Sequence, residues 1–286
     1  MTWFCLLLLA SGAPAATALP AWLRLGVEER VRAAAVAGAG FRDSASDAYL
    51  LNRLRLDADL QPLAWMRLHL QAQDARVLGA RERPAPVSLR DPLDLRQGYL
   101  ELGHNRERGA TLRVGRQSLT LGDGRLVGDP NWSNVGRAFD AVRATLAARR
   151  VKLDAFAASV VRQQAGFNNH TAGDNLHGLY GSAETPLGAL EPYVLWRVAP
   201  GSVNFRTAGA RWEARLRGAL EIAAEMAAQR GQRAGGAVRA WAGHWLLKRT
   251  FAPGRWQPRL AAEYNYASGD RQPGDGRWES FDQLYP

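Results

Sequence analysis

Cysteine is nearly absent from this chain of 286 residues. Cys5 is the single one, which excludes a disulfide scaffold, a Cys-based zinc site and a cysteine nucleophile. Lysine is almost as scarce, occurring only as Lys152 and Lys248, so the basic side of the balance is carried by 35 arginines. No stretch has the roughly 18 consecutive apolar residues of a membrane-spanning helix. Disorder is excluded as well, because 47% hydrophobic and 22% charged residues are the proportions of a folded domain. What is present is an excess of one sign: 37 Lys+Arg against 27 Asp+Glu, a net charge of +10. A GC-rich genome raises Arg, Ala and Gly together, so the excess acquires meaning only from where the arginines sit.

Residues 3–10, Trp-Phe-Cys-Leu-Leu-Leu-Leu-Ala, are too short to span a membrane and have the length of a signal-peptide core. Small-x-small sites follow at Ala13-Pro14-Ala15 and Ala16-Thr17-Ala18, and cleavage after Ala18 starts the mature chain at Leu19. Cys5 does not follow the apolar core, so it is not a lipoprotein cysteine. Residues 1–18 carry no charge, and a misassigned start codon accounts for the missing basic start. The expected organisation is an export signal over residues 1–18 and a single domain over 19–286.

From residue 20 onward the dominant signal is alternation. Leu50, Leu54, Leu56, Ala58 and Leu60 are apolar, while Arg53, Arg55, Asp57 and Asp59 fall between them. Met66, Leu68, Leu70 and Ala72 likewise oppose Trp65, Arg67, His69 and Gln71, and the period returns over 220–228 and 258–266. A two-residue period means strands with one apolar and one polar face. Residues 141–164 and 216–230 are rich in helix-favouring Ala, Leu, Glu and Arg, yet the recurring period makes them strands too. Turn-like segments separate the runs, among them 38–46, 79–92, 103–109, 122–136, 166–175 and 269–276. About 13 strands result, with no linker dividing them.

Strands of this kind build either a soluble sandwich or a membrane barrel whose apolar face meets lipid. The polar faces hold charges of both signs beside large residues such as Trp65, and long loops alternate with short turns, which is the barrel habit. Trp22, Tyr49, Tyr193, Trp196 and Tyr266 near strand ends suit interfacial girdles. The expected fold is all-β, a transmembrane antiparallel β-barrel.

Residues 112–145 carry the most distinctive pattern. A strand ending in Gly115-Arg116-Gln117 leads to a Gly/Asp turn, then Arg125, Trp132-Ser133-Asn134, Gly136-Arg137 and Phe139-Asp140. This segment resembles the alginate-export family of outer-membrane β-barrels. Weaker support comes from Arg53-Leu54-Arg55-Leu56, Gln97-Gly98-Tyr99-Leu100-Glu101, Glu263-Tyr264-Asn265-Tyr266 and the last residues, Phe281 to Pro286. The resemblance implies a monomeric barrel of about eighteen strands, so a chain with about 13 is expected to be incomplete at its C-terminus. It further implies an outer-membrane location, no cofactor, and a positive lumen that passes an anionic polysaccharide outward. Other expected partners are membrane lipid, lipopolysaccharide and periplasmic export proteins, but not nucleic acid.

The chemistry of that cargo points to arginine. A polyuronate carries one carboxylate per sugar, and a guanidinium binds carboxylate through two parallel hydrogen bonds at any working pH. Candidates on polar strand faces are Arg53, Arg55, Arg67, Arg96, Arg113, Arg143 and Arg259. Arg116, Arg125 and Arg137 lie in the distinctive segment and form a constriction if its loop folds inward. Asp140, Glu101 and Glu263 are partners that would keep the polymer from sticking, and Trp65, Trp132 and Tyr99 suit stacking on sugar rings. His170, Asp174 and His177 read as a solvated loop rather than a metal site. A porin taking up small anionic solutes is the alternative. An enzyme is disfavoured, because the five histidines are scattered without a serine partner.

Overall fold

The computed structural model describes residues 19–37, 46–81, 88–103, 108–164, 167–217, 219–251 and 256–286; the expected export signal lies outside them. Thirteen long strands follow chain order in one antiparallel sheet, each paired with the next. They are β1 (Leu23–Val36), β2 (Asp47–Leu63), β3 (Met66–Leu78), β4 (Asp91–Gly103), β5 (Gly109–Gln117), β6 (Phe139–Ala148) and β7 (Val151–Arg162). Then come β8 (Asn169–Thr185), β9 (Gly188–Ala199), β10 (Val203–Leu216), β11 (Leu220–Arg233), β12 (Gly236–Thr250) and β13 (Arg259–Ala267). The short β14 (Arg277–Trp278) pairs in parallel with β12.

The alternation is realised inside out, as a barrel wall requires. On β2, Leu50 and Leu56 are 45% and 48% exposed, whereas Arg53 and Arg55 between them are 1% and 4% exposed. Residues 141–164 form most of β6 and β7 despite their helix-favouring composition, because cross-strand pairing satisfies the backbone and each face has one medium to meet. One loop expectation is corrected. Residues 169–175 belong to β8, where Asn169 and His170 pair with Arg162 and Val161 of β7. The Asn/Gly content of that stretch reads as a breaker only in isolation.

The three longest connections, β1–β2, β3–β4 and β5–β6, leave from one end of the wall. Two-residue turns join β2 to β3, β6 to β7 and β8 to β9 at the other. Gly115 fixes the start of the longest connection. Its φ is +124°, and a Cβ there would stand 2.3 Å from the Gly98 carbonyl oxygen on β4. Gly115→Ala should therefore cost about 2 kcal/mol or more, read as a lower urea midpoint for the refolded protein in detergent.

The packed core lies inside the wall. Residues 118–138 turn inward after β5, and residues 279–286 lie beside them, joined by a parallel bridge between Val127 and Tyr285. Leu119, Leu121, Val127, Phe139 and Tyr285 form one cluster with Phe156, Leu176, Tyr180 and Leu195 of β7–β9. The Tyr285 ring meets Phe139 edge-on, with centroids 5.7 Å apart.

Candidate functional site: the barrel interior

The inward loop is held by arginines that donate to its backbone. Arg30 bonds the carbonyls of Asn131 and Ser133, both at 2.8 Å, and Arg32 bonds that of Trp132 at 2.7 Å. Arg53 reaches the Asn131 carbonyl at 3.1 Å and Arg55 the Asn131 side-chain oxygen at 2.9 Å. Arg96 pairs with Asp129. Asn134 is wholly buried, and its Nδ2 faces the carbonyl oxygens of Asn52, Arg76 and Leu89 at 2.9–3.1 Å. Ser133 Oγ accepts from Gly136 N at 2.8 Å, so the Trp132-Ser133-Asn134 run is a latch that seats the loop against β2 and β3.

The opposite side is fixed through residues 279–286. Asp282 takes hydrogen bonds from Arg197 at 2.9 Å and Arg233 at 2.6 Å, while the buried Gln229 side chain both donates to and accepts from its backbone. Tyr285 donates its hydroxyl to Asp174 at 2.6 Å. Burial and that neighbouring carboxylate push the phenol up, so it stays a donor.

Toward the turn end the inner wall carries a ladder of ion pairs. Arg67 meets Asp59 at 2.6 Å, Arg113 meets Glu101 at 2.9 Å, and Arg143 grips both oxygens of Asp154 at 2.9 and 3.0 Å. Arg211 and Glu191 follow at 3.0 Å, and Lys248 and Glu221 at 2.8 Å. The strand register aligns Arg67, Glu101, Arg113 and Arg143 in one row across β3–β6. Tyr99 stands in the next inward row toward the loop end, under Arg113 at 4.4 Å and beside its register partner His69 at 5.0 Å. Two cavities of about 200 and 190 Å³ open along the ladder. A larger one, about 490 Å³, lies between the loop, residues 281–286 and β11–β13, with Arg125 and His244 on its wall.

Of the residues singled out in the sequence, Arg67 and Arg143 stand in the ladder. Arg53 and Arg96 are 1% and 7% exposed and hold the loop. Arg116 and Asp140 pair with each other at 2.8 Å, and alternation from Arg113 and Gly115 puts both on the outward side, with His170 on Asp140 at 2.9 Å. Arg125 meets His244 at 2.8 Å, and Arg137 lies 5.9 Å from the Tyr285 ring. Arg116, Arg125 and Arg137 thus occupy three separate environments, although the loop does fold inward. His170, His177 and Asp174 do not converge, since Asp174 points inward to Tyr285 and His177 lies tilted beside Trp196 at 5.7 Å. Among the described residues no group of His, Cys, Asp or Glu is arranged to hold a metal ion. Sequence reasoning missed Asn134, Asp129 and Asp282, and the Trp-Ser-Asn run was the available signal for the first.

No curated protein matches the chain in sequence. Two solved structures share its fold at low identity. OccAB1 of Acinetobacter baumannii is 12% identical with a TM-score of 0.54, over 92% of this chain and 69% of that one. OccD3 (OpdP) of Pseudomonas aeruginosa is 13% identical with a TM-score of 0.50, over 86% of this chain and 58% of that one. These likenesses establish the barrel fold and nothing finer. The model of the alginate export family matches residues 21–286, the whole described wall together with its inward loop, and the chain belongs to that family.

Proposed function

We propose that the protein is an outer-membrane channel that passes an anionic polysaccharide, an alginate-like polyuronate, along the arginine ladder of its inner wall. The observation that carries this reading is the row Arg67–Glu101–Arg113–Arg143, one residue from each of four neighbouring strands. Adjacent strands are about 4.8 Å apart, so the guanidiniums form closely spaced steps. Each is already matched by a protein carboxylate, and an incoming uronate exchanges with that carboxylate instead of filling an empty cationic trap. Binding then stays weak enough at every step for the polymer to move on, the condition conduction imposes. The long loops are placed outside the cell and the short turns in the periplasm, as in barrels of this kind.

The inward loop favours a second reading, a porin for small anionic solutes, because it narrows the interior to cavities of a few hundred Å³. Single-channel recordings of the full-length protein in planar bilayers separate the readings. Anion selectivity with concentration-dependent block by oligouronates longer than a trisaccharide is expected for export, whereas a porin would be blocked equally by monouronate. A cation-selective pore indifferent to both would overturn the arginine-ladder argument.

A further inference from the structure

The lumenal ladder matches its cations with carboxylates, and a row of arginines on the outer face of β10–β12 does not. Arg206 on β10, Arg230 on β11 and Arg239 on β12 are exposed and stand directly opposite one another in register. Their chain neighbours Phe205, Gln229 and Ala240 are buried toward the interior, so the three arginines face outward. The row continues through Trp196 on β9 to His177 on β8. Arg206 lies 5.3 Å from the Trp196 ring centre, His177 lies 5.7 Å from it, and the Trp196 indole donates to Asn204 at 2.8 Å.

This row marks a boundary on the outer surface. The next row toward the turn end is Leu179, Val194, Ala208, Ala228 and Trp241; the next toward the loop end begins with Asn175, Val198, Asn204 and Gln232. Apolar wall thus gives way to polar wall at the arginines, the depth at which hydrocarbon meets headgroups. The outward faces of β9–β13 contain no Asp or Glu. Three like charges directly opposite across about 4.8 Å repel, and more strongly beside hydrocarbon than in water, so the row calls for anions from outside the protein. Immediately below it, a groove of about 550 Å³ opens on the outer wall, floored by Ala144, Ala155 and Ala157, flanked by Leu179 and Val194, and rimmed by Trp196 and Arg206.

We propose that this row and groove bind a phosphorylated, multiply acylated glycolipid of the outer leaflet. Its phosphates engage Arg206, Arg230 and Arg239, which suit bidentate phosphate recognition, and one acyl chain lies in the alanine-floored groove beneath Trp196. The assignment rests on the reading that the loop end faces the cell exterior.

The test uses the full-length protein refolded in detergent, titrated with bis-phosphorylated lipid A, its dephosphorylated form, and phosphatidylglycerol, with bound lipid counted by native mass spectrometry. Retention of the bis-phosphorylated lipid at tenfold or lower concentration than either other lipid is expected. The triple change Arg206→Gln, Arg230→Gln, Arg239→Gln should abolish that preference, and Ala157→Trp should weaken binding of all acylated probes by filling the groove. Heat-modifiable gel mobility reports folding, and Arg230→Gln alone, with a loss of about threefold, carries the test if the triple variant does not fold. Equal retention of the three lipids, or an unchanged preference in the variants, overturns the proposal. Orientation is read separately, by labelling Ser202→Cys on intact cells with an impermeant maleimide, so an error there is distinguishable from absence of the site.

Discussion

With Arg67, Arg113 and Arg143 changed together to glutamine, the channel should turn from anion- to cation-selective. Each of these side chains now neutralises a carboxylate within 3.0 Å: Asp59, Glu101 and Asp154 respectively. Glutamine preserves much of the volume and some hydrogen bonding but leaves those acids bare. Two unit charges about 5 Å apart interact by roughly 3 kcal/mol at an effective dielectric of 20, several times thermal energy. The expected result is reversal of the sign of the zero-current potential across a KCl gradient, with a permeability ratio changed by about tenfold. The effect should shrink in 1 M salt, where screening acts within about 3 Å. An unchanged potential at 0.1 M would show that the ladder is off the conducting path.

Opening the loop latch should have the other large effect. Asn134→Ala removes the amide that faces three carbonyl oxygens on β2, β3 and the β3–β4 connection. A buried acceptor left without a donor costs about 1–3 kcal/mol. Asp129→Ala in the same chain releases Arg96, the second cross-link. On the β1–β4 side the loop would keep the arginine contacts to its backbone and the Gln73 bond to Val135 O, with its packed apolar residues and the bridge to Tyr285 still in place. Single-channel conductance should rise several-fold with more frequent long openings. The wall itself should persist, because its pairing does not involve the loop, and heat-modifiable mobility on gels checks this. Wild-type conductance in the double variant would show that the inward loop does not limit flow.

The strands were legible because each wall face meets one uniform medium, so alternation survives even in the alanine-rich β6, β7 and β11. The turn between β6 and β7 was not, since Arg149-Arg150 contains no Gly, Pro or Asn, and Arg149 adopts φ +50° unaided by composition. The interior was legible as chemistry and not as assignment. Arginines on inward faces could be named, but a backbone carbonyl leaves no trace in a sequence. Nothing in the chain therefore told Arg53, which holds Asn131 O, from Arg67, which faces Asp59. Asp140 and Arg116 fell outward because alternation from Gly115 decides their side, and that register needs the partner strand.

The bridge between Val127 and Tyr285 bears on the order of assembly. Arg137, in the same loop, bonds the carbonyl of Pro286, 149 positions further along. Contacts so remote in sequence carry a large loop-closure entropy and form only after local hairpins have shortened the effective distance. The hairpins of the wall can zip in chain order, neighbour to neighbour, while the inward loop must wait for residues 279–286 to arrive. Strands β1–β13 can therefore pair as a hollow ribbon before the loop and residues 279–286 fill their interior.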